Sequence, residues 1–354
     1  MDRKMVVASI LCFSFVFFFV VNGAVAQKKE LNILTWSGYE ETKIIRPFEE
    51  KYNCKVNSKT FENSENMLTI WSASKPGTWD IVNPDESFVP ALIKQKKLRV
   101  LDSKKFPMDD LFAQFKHFDQ HWDGNKMYAV PSRWGFYGLV YNKNYVSAED
   151  VTSWKALWNP KYKGKVGMYG WWLPNMGNIA RYLGFQSPYD IGPEDLKKVE
   201  KALMELKPQL ATIADTASEM IQAMVNESCW LAPIGNWGAV AMKEQGKPVE
   251  HNVPKEGGVS WTEGLAIPSD SKNPDLAEKF IQYMLSPEAQ AKLSWADALH
   301  AATPNRKAAQ FLTAQQVEWL RMNEKGIEIV KRIFPRKLPK DETAWKDVWL
   351  RFKG

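Results

Sequence analysis

The chain is poor in the residues from which most catalytic and metal sites are built. It has only 3 cysteines and 4 histidines among 354 residues. His117 and His121 are spaced one helical turn apart, but that pair has no glutamate companion of the metalloprotease type. No constellation of histidine, cysteine and aspartate accompanies it. We therefore expect no catalytic residues, no bound metal and no cofactor, and a secreted hydrolase is the weaker alternative.

The few cysteines leave the redox state open. Cys12 lies in the N-terminal apolar run, where bulky Leu11 precedes it, so it is a poor site for lipidation. Cys54 and Cys229 remain, and an oxidising compartment would allow them to form one disulfide. Two separate buried thiols are the favoured interpretation.

Long apolar runs are confined to the N terminus. Arg3 and Lys4 precede an apolar stretch over residues 5–21, and small residues follow at 24–26. This three-part pattern is typical of a secretory signal peptide, so residues 1–26 are predicted to be one, with cleavage after Ala26. No later run is long enough to span a bilayer. We expect the remainder to be exported, and to be soluble or attached to the membrane by a partner.

Positive charge is not concentrated in one part of the sequence. The formal net charge is +6, and the basic residues are dispersed, as in the clusters at 94–97 and 161–165. No nucleic-acid-binding motif accompanies them. We expect solvated surfaces and no nucleic-acid partner.

Strands alternate with helices in the first third of the chain. Residues 31–35 and 79–83 are predicted strands, and 40–52, 64–74 and 87–95 are predicted helices from the apolar spacing. This alternation is typical of a parallel, doubly wound sheet. In such sheets ligands bind beyond the carboxyl ends of the strands, which is where the segments 36–39 and 84–87 lie.

A second set of alternating elements follows a strand-rich stretch at 128–141, which is predicted to carry the chain from one lobe to the next. We see no internal repeat and no low-complexity linker. The predicted strands of this second part are 166–168, 230–234 and 260–267, and its predicted helices are 194–206, 218–225, 275–285 and 287–293.

Several segments, in family order from about residue 30 to residue 310, resemble the periplasmic spermidine/putrescine-binding proteins, the solute receptors of ABC importers. The ordered series indicates membership of this family. The matching segments are Thr35-Trp36-Ser37-Gly38-Tyr39, Thr60 to Met67, Trp79 to Val82, Val151 to Trp154, Leu157 to Gly164, Pro254 to Gly258, Trp261, Leu265 to Pro268 and Thr303-Pro304-Asn305.

The resemblance implies an α/β fold of the two-lobed type II binding-protein class, with a mixed, mostly parallel sheet flanked by helices in each lobe. Lobe one is expected to comprise residues 28–135 and 262–309. Lobe two is expected to comprise residues 136–261 and 310–354. A ligand cleft is expected between them.

The resemblance also implies a function. The protein is expected to be a monomeric periplasmic receptor that binds a polyamine or related small amine and delivers it to an ABC permease at the inner membrane. Ligand would favour a closed form of the two lobes by hinge closure, to the extent of its differential affinity for that form. An enzymatic activity is not expected.

Aromatic residues and a carboxylate are the first candidates for ligand binding. Trp36, Ser37 and Tyr39 lie in the first strand-end loop, which supplies aromatic side chains to the ligand in the family. Indole faces attract ammonium groups. Trp261 and Glu263 match family positions where an aromatic side chain and a carboxylate meet the amine, although the family's usual residue is Asp rather than Glu.

Two further pairs of residues have alternative roles. Asp85 and Glu86 follow the second predicted strand, where they would suit a cationic ligand or cap the following helix. Arg133 and Trp134 lie in the stretch predicted to join the lobes. The guanidinium of Arg133 would bind an acidic group of the ligand or pair with Asp85 or Glu86, and a salt bridge is the favoured role.

The second-lobe loop, residues 169–174, departs from the family pattern. In spermidine and putrescine receptors it supplies acidic residues, whereas here no Asp or Glu occurs between Val166 and Asp190. Trp171, Trp172, Asn236 and Trp237 are instead the candidates. The three tryptophans among them, together with Trp36 and Trp261, predict an aromatic box around a single cationic head.

That departure leaves the ligand open. A polyamine or related small amine is one alternative, and a zwitterionic or quaternary-ammonium solute is the other. A ferric-ion receptor of related fold ranks lower, because it would need clustered tyrosines as oxygen donors and this sequence has no adjacent pair.

Overall fold

The structure is a computed structural model that describes residues 28–354. The predicted signal peptide, residues 1–26, lies outside the described residues. The strands are β1 (Lys29–Thr35), β2 (Cys54–Thr60), β3 (Ile81–Val82), β4 (Trp122–Asp123), β5 (Lys126–Met127), β6 (Ala129–Asn142), β7 (Val166–Tyr169), β8 (Leu210–Ala214), β9 (Leu231–Gly235), β10 (Val249–Asn252), β11 (Gly258–Ala266), β12 (Trp295–Ala296), β13 (Leu299–His300) and β14 (Ile333–Pro335).

Helices pack on both sides of these strands. The α-helices are α1 (Thr42–Tyr52), α2 (Ser64–Ala73), α3 (Val89–Lys94), α4 (Ala113–Lys116), α5 (Trp172–Tyr182), α6 (Pro193–Leu206), α7 (Ala217–Val225), α8 (Asn236–Glu244), α9 (Pro274–Met284), α10 (Pro287–Ser294), α11 (Ala314–Leu320), α12 (Glu324–Ile327) and α13 (Glu342–Lys353).

One mixed sheet organises the molecule, with its path running β2-β1-β3-β11-β6-β9-β7-β8. In the first strand group (β1 to β3), β1 is parallel to both β2 and β3. In the second strand group (β7 to β9), β7 is parallel to both β8 and β9. The long strands β6 and β11 lie between the groups and are antiparallel to each other. The predicted α/β class with a mixed sheet is confirmed.

The two central strands are buried along their whole length. Every residue of β6 and of β11 is buried, as expected for strands covered on both faces. Gly135 in β6 lies directly under the indole of Trp261, where a Cβ atom would come within 2.6 Å of the ring. Only glycine fits this close approach.

Each strand group has its own hydrophobic core. Beside the first group, α1 and α9 meet through Phe48 and Phe280, whose rings are 5.0 Å apart and perpendicular. Beside the second group, the C-terminal helix α13 packs Trp345 and Trp349 among residues of α5 and α6. Burial of such large apolar side chains supplies most of the stabilisation of each core.

The predicted elements are found within two residues of their expected bounds, but several others were not predicted, among them β2 and α5. Strand β2 has a mostly polar sequence because it is the edge strand of the first group and exposes several side chains. Helix α5 was missed because residues 169–174 were predicted to form a loop. Pro174 does not prevent the helix, because it lies in the first turn. The N–H groups of the first turn have no acceptor within the helix, so a proline there removes no hydrogen bond.

The two cysteines lie in different cores. Cys54 belongs to the core of the first strand group and Cys229 to a cluster beside the second, and both are buried free thiols. The favoured prediction of two separate thiols is confirmed. Burial raises the pKa of Cys229 to about 11, so this thiol is a weak nucleophile at neutral pH.

Within residues 28–354, no helix combines the length and the apolar character needed to cross a membrane.

The buried histidine His121 makes stability depend on pH. Burial lowers the pKa of His121 to about 3, whereas the unfolded chain takes up this proton near pH 6.5. Because the unfolded state binds the extra proton between these values, stability falls as the pH drops below 6.5, by about 1.4 kcal/mol per pH unit for this group. Urea unfolding at pH 7, 6 and 5 should show a shallower dependence in His121→Gln than in the unchanged protein. His117→Gln, at an exposed histidine, is the control, and an equal slope in His121→Gln and the unchanged protein would contradict the prediction.

Candidate functional site

A cavity of about 510 Å3 lies where the carboxyl ends of both strand groups meet. Its lining comes from the loops after β1, β2, β3, β7 and β8, from the start of α8 after β9, from β6 and β11, from the β12–β13 hairpin, and from the segment after β14. The lining residues are Trp36, Ser37, Phe61, Glu62, Asn63, Asp85, Arg133, Tyr137, Tyr169, Gly170, Trp171, Asp215, Thr216, Ala217, Ser218, Trp237, Trp261, Glu263, Ala298, Leu299 and Arg336. This location is the one at which open α/β sheets bind ligands.

The first charged group of the cavity is a buried pair between β6 and β11. The guanidinium of Arg133 donates from Nε and Nη2 to the two carboxylate oxygens of Glu263, at 2.9 Å each. Tyr39 donates its hydroxyl to the same carboxylate at 2.8 Å. Both oxygens of Glu263 are therefore engaged by residues of the protein itself. Such a bidentate pair is geometrically specific.

The second charged group is centred on Arg336, which is fully buried. Its Nη2 donates to Asp85, its backbone N–H donates to Glu86 at 3.2 Å, and its Nε donates to the carbonyl of Ser260 at 2.9 Å. Its guanidinium also lies over the Trp171 ring at 4.4 Å. Arg336 thus connects acids that follow β3 with an indole that follows β7.

The shifted pKa values follow from this burial and pairing. Burial and the neighbouring Asp85 raise the pKa of Glu86 well above its usual value. Burial also raises the pKa of Glu263, although Arg133 opposes the shift. The pKa of Arg336 is raised because its two acids outweigh the effect of burial. Both guanidinium groups are therefore charged at every physiological pH.

Aromatic rings line the rest of the cavity in two groups. Trp36 and Phe61 meet edge to face at 4.7 Å on the side of the first strand group. Tyr169 and Trp237 meet edge to face at 6.3 Å on the side of the second. A ligand between them would contact aromatic surface from both sides. Such surface binds apolar groups and cationic heads.

Two more carboxylates line the cavity. Asp215 accepts a hydrogen bond from Lys353 Nζ at 2.6 Å, so it already has a cation. Glu62, which follows β2, is exposed and forms no ion pair with any side chain that the structure describes. Among the cavity-lining acids of residues 28–354, Glu62 is thus the one still available to a cationic ligand.

Eight of the thirteen residues predicted from the sequence line this cavity. Their binding role stays a prediction. They are Trp36, Ser37, Asp85, Arg133, Trp171, Trp237, Trp261 and Glu263.

The other five lie elsewhere. Tyr39 and Glu86 are buried directly behind the lining, where they contact Glu263 and Arg336. Trp134 is in a separate core, 5.2 Å from the Phe115 ring. Trp172 and Asn236 are each the first residue of a helix and are buried outside the cavity lining. Trp172 packs against Trp345 at the start of α5, and Asn236 accepts the backbone N–H of Phe136 at 3.2 Å.

The prediction that Arg133 pairs with Asp85 or Glu86 is wrong about the acid that Arg133 contacts. Arg133 does form a salt bridge, but with Glu263, which lies directly opposite it on the neighbouring strand β11. Asp85 and Glu86 pair instead with Arg336. Arg336 was not predicted, because no local pattern shows that it reaches Asp85 and Glu86, which lie 251 and 250 positions earlier in the chain.

Glu62 was also missed, although a signal for it existed. It follows Phe61, just after the end of β2. Because ligands bind at the carboxyl ends of strands in such sheets, recognition of β2 would have made Glu62 a candidate.

This fold, with a cavity between two groups of strand ends, is that of a solute-binding protein. Residues 43–319 match the family model for bacterial extracellular solute-binding proteins. The chain therefore belongs to this family.

Its relatives include polyamine receptors. It is 28% identical over 295 residues to the spermidine/putrescine-binding periplasmic protein of Escherichia coli K12, with 80% of each chain covered. It is 27% identical over 353 residues to the putrescine-binding periplasmic protein SpuD of Pseudomonas aeruginosa, with 93% of each covered. The solved spermidine/putrescine substrate-binding protein PotD of Streptococcus pneumoniae superposes with a TM-score of 0.77 at 25% identity, covering 92% of this chain and 99% of that one.

These relatives confirm the resemblance seen in the sequence and the two-lobed fold class. The Streptococcus pneumoniae protein is the substrate-binding protein of a spermidine/putrescine ABC transporter.

Proposed function

We propose that this protein is an extracytoplasmic, monomeric receptor of an ABC importer, which binds a small amine solute in the cavity and delivers it to a permease of the inner membrane. The predicted signal peptide supports a periplasmic location. The polyamine-binding relatives support an amine as the ligand.

One observation carries the proposal. The cavity combines aromatic rings from both strand groups with one carboxylate, Glu62, that has no cationic partner among the described side chains. An ammonium group gains from both features, since indole faces attract cations and a carboxylate accepts charge-assisted hydrogen bonds.

The charges favour one ammonium group over two or three. Asp85 is paired with Arg336, Glu263 with Arg133 and Asp215 with Lys353. A polyamine needs an acceptor for each ammonium, because an unpaired charge is costly to desolvate. The geometry thus supports the second predicted ligand class, a zwitterionic or quaternary-ammonium solute, better than a spermidine-like one.

Closure of two lobes is the proposed mechanism. We place lobe one at 28–135 and 262–309, and lobe two at 136–261 and 310–354, so that β6 and β11 cross between them. The cavity is lined from both proposed lobes, so a ligand that bridges them stabilises the closed form. The permease then recognises that form.

A thermal-shift screen tests the function. Purified protein is heated with putrescine, spermidine, choline, amino acids and aminophosphonates, and with neutral sugars as controls. A ligand of the folded state raises the melting temperature in a concentration-dependent way. We expect at least one amine to do so. If a neutral sugar raises the melting temperature and no amine does, the proposed function is wrong.

Trp36→Ala is expected to weaken amine binding by about 3- to 30-fold without unfolding the protein, because it removes one aromatic face worth about 0.5–2 kcal/mol to a cation. Calorimetric titration measures the change.

The matched control is Trp230→Ala. Trp230 is half-buried and stacks on Tyr145 at 4.6 Å, and it does not line the cavity. An equal loss of affinity in the two variants would show that Trp36 has no specific role.

A further inference from the structure

Two buried guanidinium groups line the cavity with part of their hydrogen-bonding capacity unused. Arg133 and Arg336 are 1% and 0% exposed. Within residues 28–354, Nη1 of each has no hydrogen-bond partner, whereas the other side-chain nitrogens are bonded. A buried N–H without an acceptor is costly, and native proteins rarely leave one so.

Indole N–H groups of the described cavity lining also lack hydrogen-bond acceptors. Trp36 and Trp171 also line the cavity, and in the described chain neither Nε1 has a partner. Trp261 Nε1 is unpartnered too, but it faces Gly135. On the described lining residues, every buried polar atom without a partner is an N–H donor. The cavity therefore favours a ligand that brings acceptors.

Arg336 holds its position because the segment around it is fixed. Strand β14 pairs in parallel with the start of β11, with Pro335 opposite Ser260. Gln120 donates its amide to the carbonyl of Arg336 at 2.5 Å. The guanidinium therefore lies between the Asp85 carboxylate and the Trp171 ring.

We propose that the ligand carries an acid group, a carboxylate or a phosphonate, in addition to its ammonium group, and that Arg133 and Arg336 bind this acid through Nη1. The inference rests on the proposed amine-receptor function and narrows it. The ammonium is bound by Trp36 and Glu62, and the acid by the guanidinium groups. A diamine is disfavoured, because Asp85 and Glu263, the acids that could accept its second ammonium, are already paired with Arg336 and Arg133.

Four compounds of similar length separate the possibilities in calorimetric titrations of the unchanged protein. They are 4-aminobutanoate, 3-aminopropylphosphonate, 1,4-diaminobutane and butylamine. We expect one of the two acid-bearing amines to bind at least about tenfold more tightly than both the diamine and butylamine. A tenfold difference in affinity is about what one hydrogen bond between charged groups contributes.

The outcomes separate this inference from the proposed function. If 1,4-diaminobutane or butylamine binds as tightly as both acid-bearing amines, the inference is overturned and the amine-receptor function stands. If none of the four binds and a neutral sugar does, both are overturned.

Lysine variants test the two arginines themselves. Arg133→Lys and Arg336→Lys keep a cation beside each acid but remove Nη1. Each is expected to lose about tenfold in affinity for the acid-bearing amine while keeping its affinity for butylamine. Retained butylamine binding shows that the cavity is folded. If both variants keep the wild-type ratio of the two affinities, the assignment of the acid to these arginines is overturned. The four-compound comparison decides on the ligand class even where a variant does not fold.

Discussion

Arg336→Met is expected to lower the free energy of unfolding by about 3–5 kcal/mol at pH 8, as measured by urea denaturation. The substitution keeps the volume of the side chain roughly constant but leaves Asp85 and Glu86 buried without their cation. Removal of one partner from a buried ion pair has this cost because the remaining charge is uncompensated.

The loss should be smaller at pH 5. Burial and Asp85 already raise the pKa of Glu86, and removal of the cation raises it further. The folded variant then binds protons at a higher pH than the unfolded chain does, so its stability increases as the pH falls.

Two further variants test whether the stability loss of Arg336→Met comes from the two buried acids. The addition of Asp85→Asn and Glu86→Gln should recover much of the loss, because no buried charge then remains. Lys337→Met is the matched control, since Lys337 is the exposed neighbour of Arg336, and it should change stability by less than about 0.5 kcal/mol. Equal effects of Arg336→Met and Lys337→Met would contradict a buried ion cluster.

Glu263→Leu is the second substitution with a large expected effect, again about 3–5 kcal/mol, because it leaves Arg133 charged and buried. The double variant Arg133→Met with Glu263→Leu should be more stable than Glu263→Leu alone. Denaturation of all four members of this double-mutant cycle measures the coupling energy between the two residues.

Glu278→Leu is the control for this second cycle. Its ion pair with Lys105 is at the surface, and such pairs contribute about 0–1 kcal/mol. Additive effects of Arg133→Met and Glu263→Leu would show that the two side chains do not pair in solution.

Both predictions have a functional meaning. The acids at the strand ends, which from sequence alone would suit a cationic ligand, are largely satisfied by arginines of the same chain. The protein thus has the fold of polyamine receptors but a cavity whose charges are mostly balanced before a ligand binds.

The sequence predicted the parts of the site that depend on local pattern. The strand at 31–35 and the strand at 79–83 were recognised from buried apolar runs, and the rule for parallel sheets then placed Trp36 and Asp85 at the cavity. Trp261 and Glu263 were assigned by resemblance, and both line the same cavity.

The remaining features could not be predicted because they depend on tertiary contacts. Trp172 follows Trp171 directly, and only the helical start of α5 turns one indole to the cavity and the other to the core. Arg133 has an acid within reach on β11 only because of the strand register. Arg336 reaches Asp85 through a segment whose path no local pattern indicates.

The most direct test of the central claim compares ligands that differ only in their nitrogen. Calorimetric titrations of the purified protein are made with butylamine against butanol and with 4-aminobutanoate against 4-hydroxybutanoate. If a positively charged nitrogen is held between the strand groups, the amine of at least one pair binds one to one, and its hydroxyl counterpart binds at least about tenfold more weakly. Hydroxyl compounds that bind as tightly as their amine counterparts would contradict the claim.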